Sequence, residues 1–265
     1  MMTTQLMGIV NATPDSFYDG NPQNNLPALL KKCADYLADG ADILDIGGES
    51  TRPGATPVSA EEELARVLPL IKAAHEKWPK VSLSLDTVKI PVAAEGLKNG
   101  VTIINDVSGT PNPEMFNLVK KHNAQIVIMH SRGTPQTMQA LTDYKDLMGE
   151  IKDFLAQKIA QAQACGLTKE QLIIDVGFGF AKTREQNYQL LKHLADFKDL
   201  GVRMRVGLSR KTFLAQKREL PPKRKAQTLA AHLVALQNGA DILRVHDVRD
   251  TRKIMDFYAE LEAAK

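Results

Sequence analysis

The sequence is poor in the residues that would mark it as a secreted, redox, nucleic-acid-binding or membrane protein. Its two cysteines, Cys33 and Cys165, fall on separate predicted helices with no C-x-x-C spacing. That pattern supplies neither a disulfide framework nor a zinc or dithiol motif, so both read as small buried apolar residues. Aromatics make up 5% of the chain, with a single tryptophan. The one basic cluster, Lys217-Arg218 with Lys223-Arg224-Lys225 around Pro221-Pro222, has no interleaved aromatics and reads as a solvated turn and helix start. A nucleic-acid partner is therefore not expected. A net charge of +3 is too small to argue for a polyanion, though it suits a small anionic substrate. No uncharged apolar run is long enough to span a bilayer. The first apolar stretch, Leu6 to Val10, is too short for a signal-peptide core. The expectation is a cytoplasmic chain without a membrane partner. Nor does any Pro/Ser/Gly-rich linker divide it, so residues 1–265 read as one domain.

What is present is a repeated unit. Gly40-Ala-Asp-Ile-Leu-Asp-Ile-Gly-Gly-Glu-Ser-Thr-Arg-Pro-Gly-Ala55 is a helix-ending glycine, a short apolar strand and a polar loop. The same order returns at Leu97 to Asp106 and at Leu236 to His246. Eight apolar runs read as strands: Met7–Val10, Ile43–Ile46, Val81–Leu85, Thr102–Ile104, Gln125–Met129, Leu172–Asp175, Arg203–Gly207 and Ile242–Val245. They are continuous rather than alternating, as expected for parallel strands buried on both faces. Helical periods fall between them, at Leu26–Ala38, Ser59–Glu76, Val92–Lys98, Pro113–His122, Lys145–Ala164, Arg184–Ala195, Arg224–Gln237 and Asp250–Ala263. Ser59 with Glu62 resembles a capping box, and Gly40, Gly100, Gly166 and Gly239 stand where helix-ending glycines belong. A doubly wound open sheet also alternates strand and helix. The count of eight, and a repeat of roughly 33 residues, favour a closed (β/α)8 TIM barrel with its active site at the C-terminal ends of the strands.

The polar residues follow the strands, as that fold requires. Asp86 and Asp175 each end an apolar run, and Asn105-Asp106 ends another. Any one of these is as well explained by helix capping as by function. Together around one cavity, Asp, Asn and Asp suit a flat heterocycle with several N–H donors. Asn11-Ala-Thr-Pro-Asp15-Ser-Phe and Thr51-Arg52-Pro53-Gly follow the first two strands. Each alone reads equally as a rigid bend; the first is rich enough in oxygen to share Mg2+ with substrate phosphate. Arg244 and His246 end strand eight, where phosphate sites form in these barrels. Gly177-Phe-Gly-Phe180-Ala-Lys-Thr fits neither a P-loop nor a dinucleotide fingerprint and reads as a pocket wall with Phe180 as its aromatic face. His75, His122, His193 and His232 lie in helical periods, while His130 is left open. No hydroxyl or thiol is paired with a base, so positioning and electrostatics are favoured over covalent catalysis.

These motifs, with Asp45-Ile-Gly-Gly-Glu-Ser-Thr-Arg-Pro-Gly, Leu85-Asp86-Thr, Ile104-Asn105-Asp106-Val-Ser-Gly, Met129-His130, Ser209-Arg210-Lys211 and Arg244-Val-His246-Asp247, resemble the dihydropteroate synthase family over nearly the whole chain, in order. The resemblance implies a magnesium-dependent homodimer that joins 7,8-dihydropterin-6-ylmethyl diphosphate to 4-aminobenzoate, and a target of sulfonamides. By motif, it assigns Asp86, Asn105, Asp175, Lys211 and Met129 to the pterin. It gives Asn11, Arg244 and His246 to diphosphate, with Mg2+ at Asn11. It gives Thr51, Arg52, Pro53, Phe180, Ser209 and Lys211 to aminobenzoate, with Asp86, Lys211, Arg52 and Asp15 as catalytic residues. Two departures stand out: Val176 occupies a position where the family usually has proline, and Gln227 one where it commonly has glycine. A pterin-binding methyltransferase on the same barrel would need Asp86, Asn105 and Asp175 without the Thr51–Pro53, Ser209–Lys211 and Arg244–His246 sets. A non-catalytic pterin binder would need fewer loops still.

Overall fold

Short apolar strands, each returned to the same end of the sheet by a helix, have no edge left to expose once the last pairs with the first. The computed structural model describes residues 4–13, 26–50, 56–109, 112–134, 136–215 and 220–264. The strands are β1 (Gln5–Asn11), β2 (Ile43–Gly47), β3 (Ser82–Asp86), β4 (Val101–Asp106), β5 (Gln125–Met129), β6 (Leu172–Asp175), β7 (Arg203–Val206) and β8 (Ile242–Val245). They form a closed parallel barrel in chain order, with β1 paired to both β2 and β8. The helices are α1 (Leu26–Ala38), α2 (Ala60–Lys77), α3 (Ile90–Lys98), α4 (Pro113–Lys121), α5 (Leu147–Ala164), α6 (Arg184–Lys192), α7 (Lys225–Gln237) and α8 (Val248–Ala263). No described helix is long and apolar enough to cross a membrane.

Local chemistry explains most boundaries. Gly40, Gly100, Gly166 and Gly239 all have φ between 84° and 100°, the left-handed region that ends a helix cheaply only at glycine. Ser59 Oγ accepts the Glu62 amide at 3.1 Å and so caps α2. Glu62 does not complete the expected box; its carboxylate pairs with Arg66 one turn on. The predicted helix from Arg184 to Ala195 is shorter than expected. It stops at Lys192 and continues as a tighter 3-10 segment, Leu194–Leu200, which buries Leu194 and Phe197 at the three-residue spacing of that geometry. Cys33 is buried on α1, Cys165 caps α5, and both are free thiols.

Two apolar layers surround the sheet. A large one lies between strands and helices, and a small one inside the barrel joins Met7, Ile43, Ile103, Val127, Ile173 and Ile242. The inner plug fills only the lower part. Two residues further along β2, β4, β6 and β8, the same inward-facing register carries Asp45, Asn105, Asp175 and Arg244. The strands thus differ from the continuous apolar runs expected from sequence: outward positions are apolar apart from Thr102 and Asp106 on β4, while several inward positions turn polar halfway up. Val176 is fully buried behind this layer. Gln227 lies on α7, and its Oε1 is buried without a partner among the described residues.

Candidate active site

The polar upper half of the barrel is a network of carboxylates and guanidinium groups. Asp45, fully buried, accepts Ser84 Oγ at 2.5 Å, Asn105 Nδ2 at 3.3 Å and Arg244 Nε at 2.6 Å. Arg244 extends from β8 past β1 and also donates Nη2 to Asp86 Oδ2 at 2.7 Å. One cation therefore serves two carboxylates on β2 and β3. Burial pushes the Asp86 carboxyl up to about 7 against the opposing pull of Arg244. Its second oxygen, Oδ1, and Asn105 Oδ1 are buried with no partner among the described residues.

Opposite them, at the end of β6, Asp175 Oδ1 accepts the Gly177 amide at 2.7 Å. Asp175 Oδ2 accepts Arg205 Nε at 2.9 Å and lies 2.6 Å from Nη2. Gly177 can make that turn because its φ is +72°, and a Cβ there would lie 1.9 Å from the His130 carbonyl oxygen. The loop that follows is stapled from below by Lys182. This 3% exposed lysine meets the carbonyls of Gly177 and Phe180 and His130 Nδ1, each at 3.0 Å. Burial lowers Lys182 to about 7 and, with Lys182 and Arg132 nearby, His130 to about 2. His130 is thus a neutral ring that accepts at Nδ1 and packs edge-on against Phe154 at 4.9 Å. It stands on the far side of the loop from the barrel interior.

The rim is completed by three further elements. Lys211, after β7, holds its Nζ 4.3 Å from the centre of the Phe180 ring. Its pKa falls to about 8, chiefly through burial, with Asp175 and Asp86 pulling it up and Arg244 and Arg205 pulling it down. Ser209 Oγ lies 2.9 Å from His246 Nδ1 and accepts the His246 amide at 3.1 Å. Burial, reinforced by Arg244, lowers His246 to about 3, leaving a neutral imidazole at the edge. Asn11 ends β1 in register with Gly47, and Met129 ends β5 in register with Asp175.

Asp86, Asn105, Asp175, Lys211, Arg244 and Met129 therefore share one end of one barrel, with Asn11, Phe180, Ser209 and His246 at its strand ends and loops. Asp15, Thr51, Arg52 and Pro53 lie outside the described residues. Asp106 faces outward and accepts the Ser108 amide at 2.9 Å, the capping reading. Arg210 is turned away at φ 58° and locked to Asp247 by bonds of 3.0 and 2.7 Å. Sequence reasoning passed over Arg205, although an arginine inside an apolar strand was a usable signal. It also missed the role of Lys182, which only the fold of the loop brings beneath Phe180.

The cup thus presents buried polar atoms on Asp86, Asn105 and Arg205 that have no partner among the described residues, with the cationic and neutral nitrogen groups of Arg244 and His246 beside them. Comparison with known proteins identifies the family. The family model described as pterin binding enzyme matches residues 7–246. The dihydropteroate synthase of Synechocystis sp. is 45% identical over 254 residues, covering 95% of this chain and 88% of that protein. Crystal structures of the Xanthomonas albilineans dihydropteroate synthase superpose closely. The form with 4-aminobenzoic acid has a TM-score of 0.92 at 41% identity, covering 99% of this chain and 94% of that one. The complex with 7,8-dihydropteroate has a TM-score of 0.89 at 38% identity, covering 99% and 95%. The chain belongs to the pterin-binding enzyme family and, within it, to the dihydropteroate synthases, which are transferases.

Proposed function

We propose that this transferase joins 7,8-dihydropterin-6-ylmethyl diphosphate to 4-aminobenzoate, giving 7,8-dihydropteroate and diphosphate by a dissociative substitution. The observation that carries the reading is the set of buried polar atoms lacking partners in the cup: Asp86 Oδ1 and Asn105 Oδ1, which accept, and Arg205 Nη1, which donates. Each such atom costs about 1–3 kcal/mol while unsatisfied, so the site favours a ring with at least two N–H donors and one acceptor. A 2-amino-4-oxo pterin has that inventory.

In the reaction, the bond from the pterin methylene carbon to the diphosphate oxygen breaks and the electron pair leaves with diphosphate. The fragment left behind is a cation, with charge spread over the ring. Asp86, fixed by Arg244, supplies a carboxylate where that charge develops. The aminobenzoate nitrogen then donates its lone pair to the methylene carbon and releases a proton; it needs placement more than activation. Lys211, Ser209 and Phe180 would bound the acceptor, and Arg244 with neutral His246 would meet diphosphate. Asp15, Thr51, Arg52 and Pro53 enter this reading from outside the described residues.

Magnesium fits as a companion of the diphosphate. Among the described residues, no group of three His, Cys, Asp or Glu side chains is placed to hold a metal. Asn11 offers one amide oxygen at the rim, which suits an ion completing its shell with diphosphate oxygens and water. When bound, the ion would neutralise the leaving group. The reading also takes the enzyme as a cytoplasmic homodimer. Phe257 and Leu261, one turn apart on α8 and both more than half exposed, support an apolar face for a second copy.

The test is to incubate the protein with the pterin diphosphate, 4-aminobenzoate and Mg2+ and to follow dihydropteroate and diphosphate. Both products are expected in equal amounts. Intact pterin binding without product would overturn the reading.

A further inference from the structure

Arg205 is 2% exposed on β7, and its guanidinium is committed on one side only. Nε and Nη2 both go to Asp175 Oδ2, at 2.9 and 2.6 Å, while Nη1 is buried with no partner among the described residues. The consequence for Asp175 is arithmetic. A carboxylate has about four acceptor positions. Gly177 uses one on Oδ1 and Arg205 uses both on Oδ2. One position on Asp175 stays open, so it cannot clamp two parallel N–H donors of a ring edge with both oxygens while Arg205 holds this place.

We propose that Arg205 is a specificity-determining residue at the floor of the cup. With Asp175 it forms a composite edge, one acceptor at Asp175 Oδ1 beside one donor at Arg205 Nη1, that reads a ring N–H and the carbonyl next to it. The proposal deepens the pterin reading above and rests on it. The surroundings fit the assignment. Asp86 Oδ1 and Asn105 Oδ1 are the other partnerless buried atoms in the cup and both accept, so Arg205 Nη1 is the buried donor in the cup left over for a ligand acceptor. Lys211 also reaches this region, but its Nζ stacks 4.3 Å over the Phe180 ring, which puts it at the wall beside the loop after β6. A site built to donate to a carbonyl rejects an analogue bearing an amino group there, because two donors then face each other.

The experiment compares two rings by calorimetry: 6-hydroxymethylpterin, and 2,4-diamino-6-hydroxymethylpteridine, which carries an amino group in place of the ring carbonyl. Wild-type protein is expected to prefer the pterin. Arg205→Met should reduce that preference by about tenfold or more. Arg205→Lys keeps a positive charge against Asp175, so it answers the question even where the Met variant fails to fold. Lysine has one nitrogen where Arg205 has three, so the place of Nη1 loses its donor and the preference should fall here too. A selectivity ratio separates recognition from general loss of packing, which would weaken both rings alike. An unchanged ratio in a folded Arg205→Lys protein would overturn the proposal. Wild-type protein that binds neither ring would instead remove the pterin reading itself.

Discussion

At the scale of single residues, the barrel sets protonation states by burial and then uses one cation to correct them. Asp86 is the sharpest case. Burial pushes it up to about 7, and Arg244 pulls the other way. Its proposed role needs the carboxylate, the form present above that pKa and lost below it. Turnover should therefore climb as pH rises through about 7 and then level, and Asp86→Asn should flatten that limb. The substitution keeps the shape and removes the charge, so kcat is expected to drop about 10²-fold or more. A loss of only a few-fold, with pterin affinity unchanged, would end the electrostatic role. Lys182 makes the complementary case for stability. Its folded pKa, about 7, lies below the ordinary 10.5, so between those values the unfolded chain binds more protons than the folded one. Stability should rise with pH across that window, because unfolding then takes up a proton. In Lys182→Met, urea unfolding at a series of pH values should show that slope reduced by about one proton.

At the scale of elements, the loop after β6 shows how backbone geometry serves the site. Gly177 turns at φ +72°, its amide fixes Asp175 Oδ1, and its α-carbon lies so close to His130 that a Cβ would overlap the carbonyl oxygen. Gly177→Ala should cost more than the ~1 kcal/mol of an ordinary glycine at positive φ, on the order of 2–4 kcal/mol, because the His130 backbone just past β5 must also give way. Thermal unfolding checks the magnitude, and pterin affinity should fall with it, since Asp175 is displaced. Little of that loop was legible beforehand. The spacing of its glycines matched no phosphate motif, and nothing in Phe180-Ala-Lys182 says that the lysine turns under the loop instead of out to solvent. The repeating units were far more legible. The strands at Gln125–Met129, Leu172–Asp175 and Ile242–Val245 agree with the sequence pattern at both ends. Each is a short apolar run between a glycine or asparagine turn and a polar loop, signals that do not depend on distant contacts. The 3-10 segment at Leu194–Leu200 was missed because its burial at three-residue spacing reads, over so short a stretch, like a continued helix.

For the molecule as a whole, the decisive feature is that half of the barrel interior is not a hydrophobic core. Asp45, Asp86 and Asp175 face Arg205, Arg244 and Lys211 in a layer contributed by strands from β2 to β8 and the loop after β7, above the plug of Met7, Ile43 and Ile173. Asp86, Asn105 and Asp175 could be picked out in sequence as polar strand ends, but which cation answers which carboxylate is a property of closure. Arg244 meets Asp45 across 199 residues of sequence. Closure also separates two kinds of cation. Arg244 is paired to two buried carboxylates, so Arg244→Met would leave Asp45 and Asp86 without the charge that compensates them, and it should cost about 3–5 kcal/mol of folding stability along with activity. Lys211 is different. Burial lowers its pKa to about 8, no carboxylate forms a salt bridge with it among the described residues, and its ammonium faces the Phe180 ring. Lys211→Met removes a charge that the folded state holds at a cost, so activity should collapse while stability at pH 7 stays level or rises. Denaturant titration of both variants beside their turnover decides the matter. A Lys211→Met protein destabilised as deeply as Arg244→Met would mean that the lysine is structural, and that the cup is assembled by all its cations rather than by Arg205 and Arg244 alone.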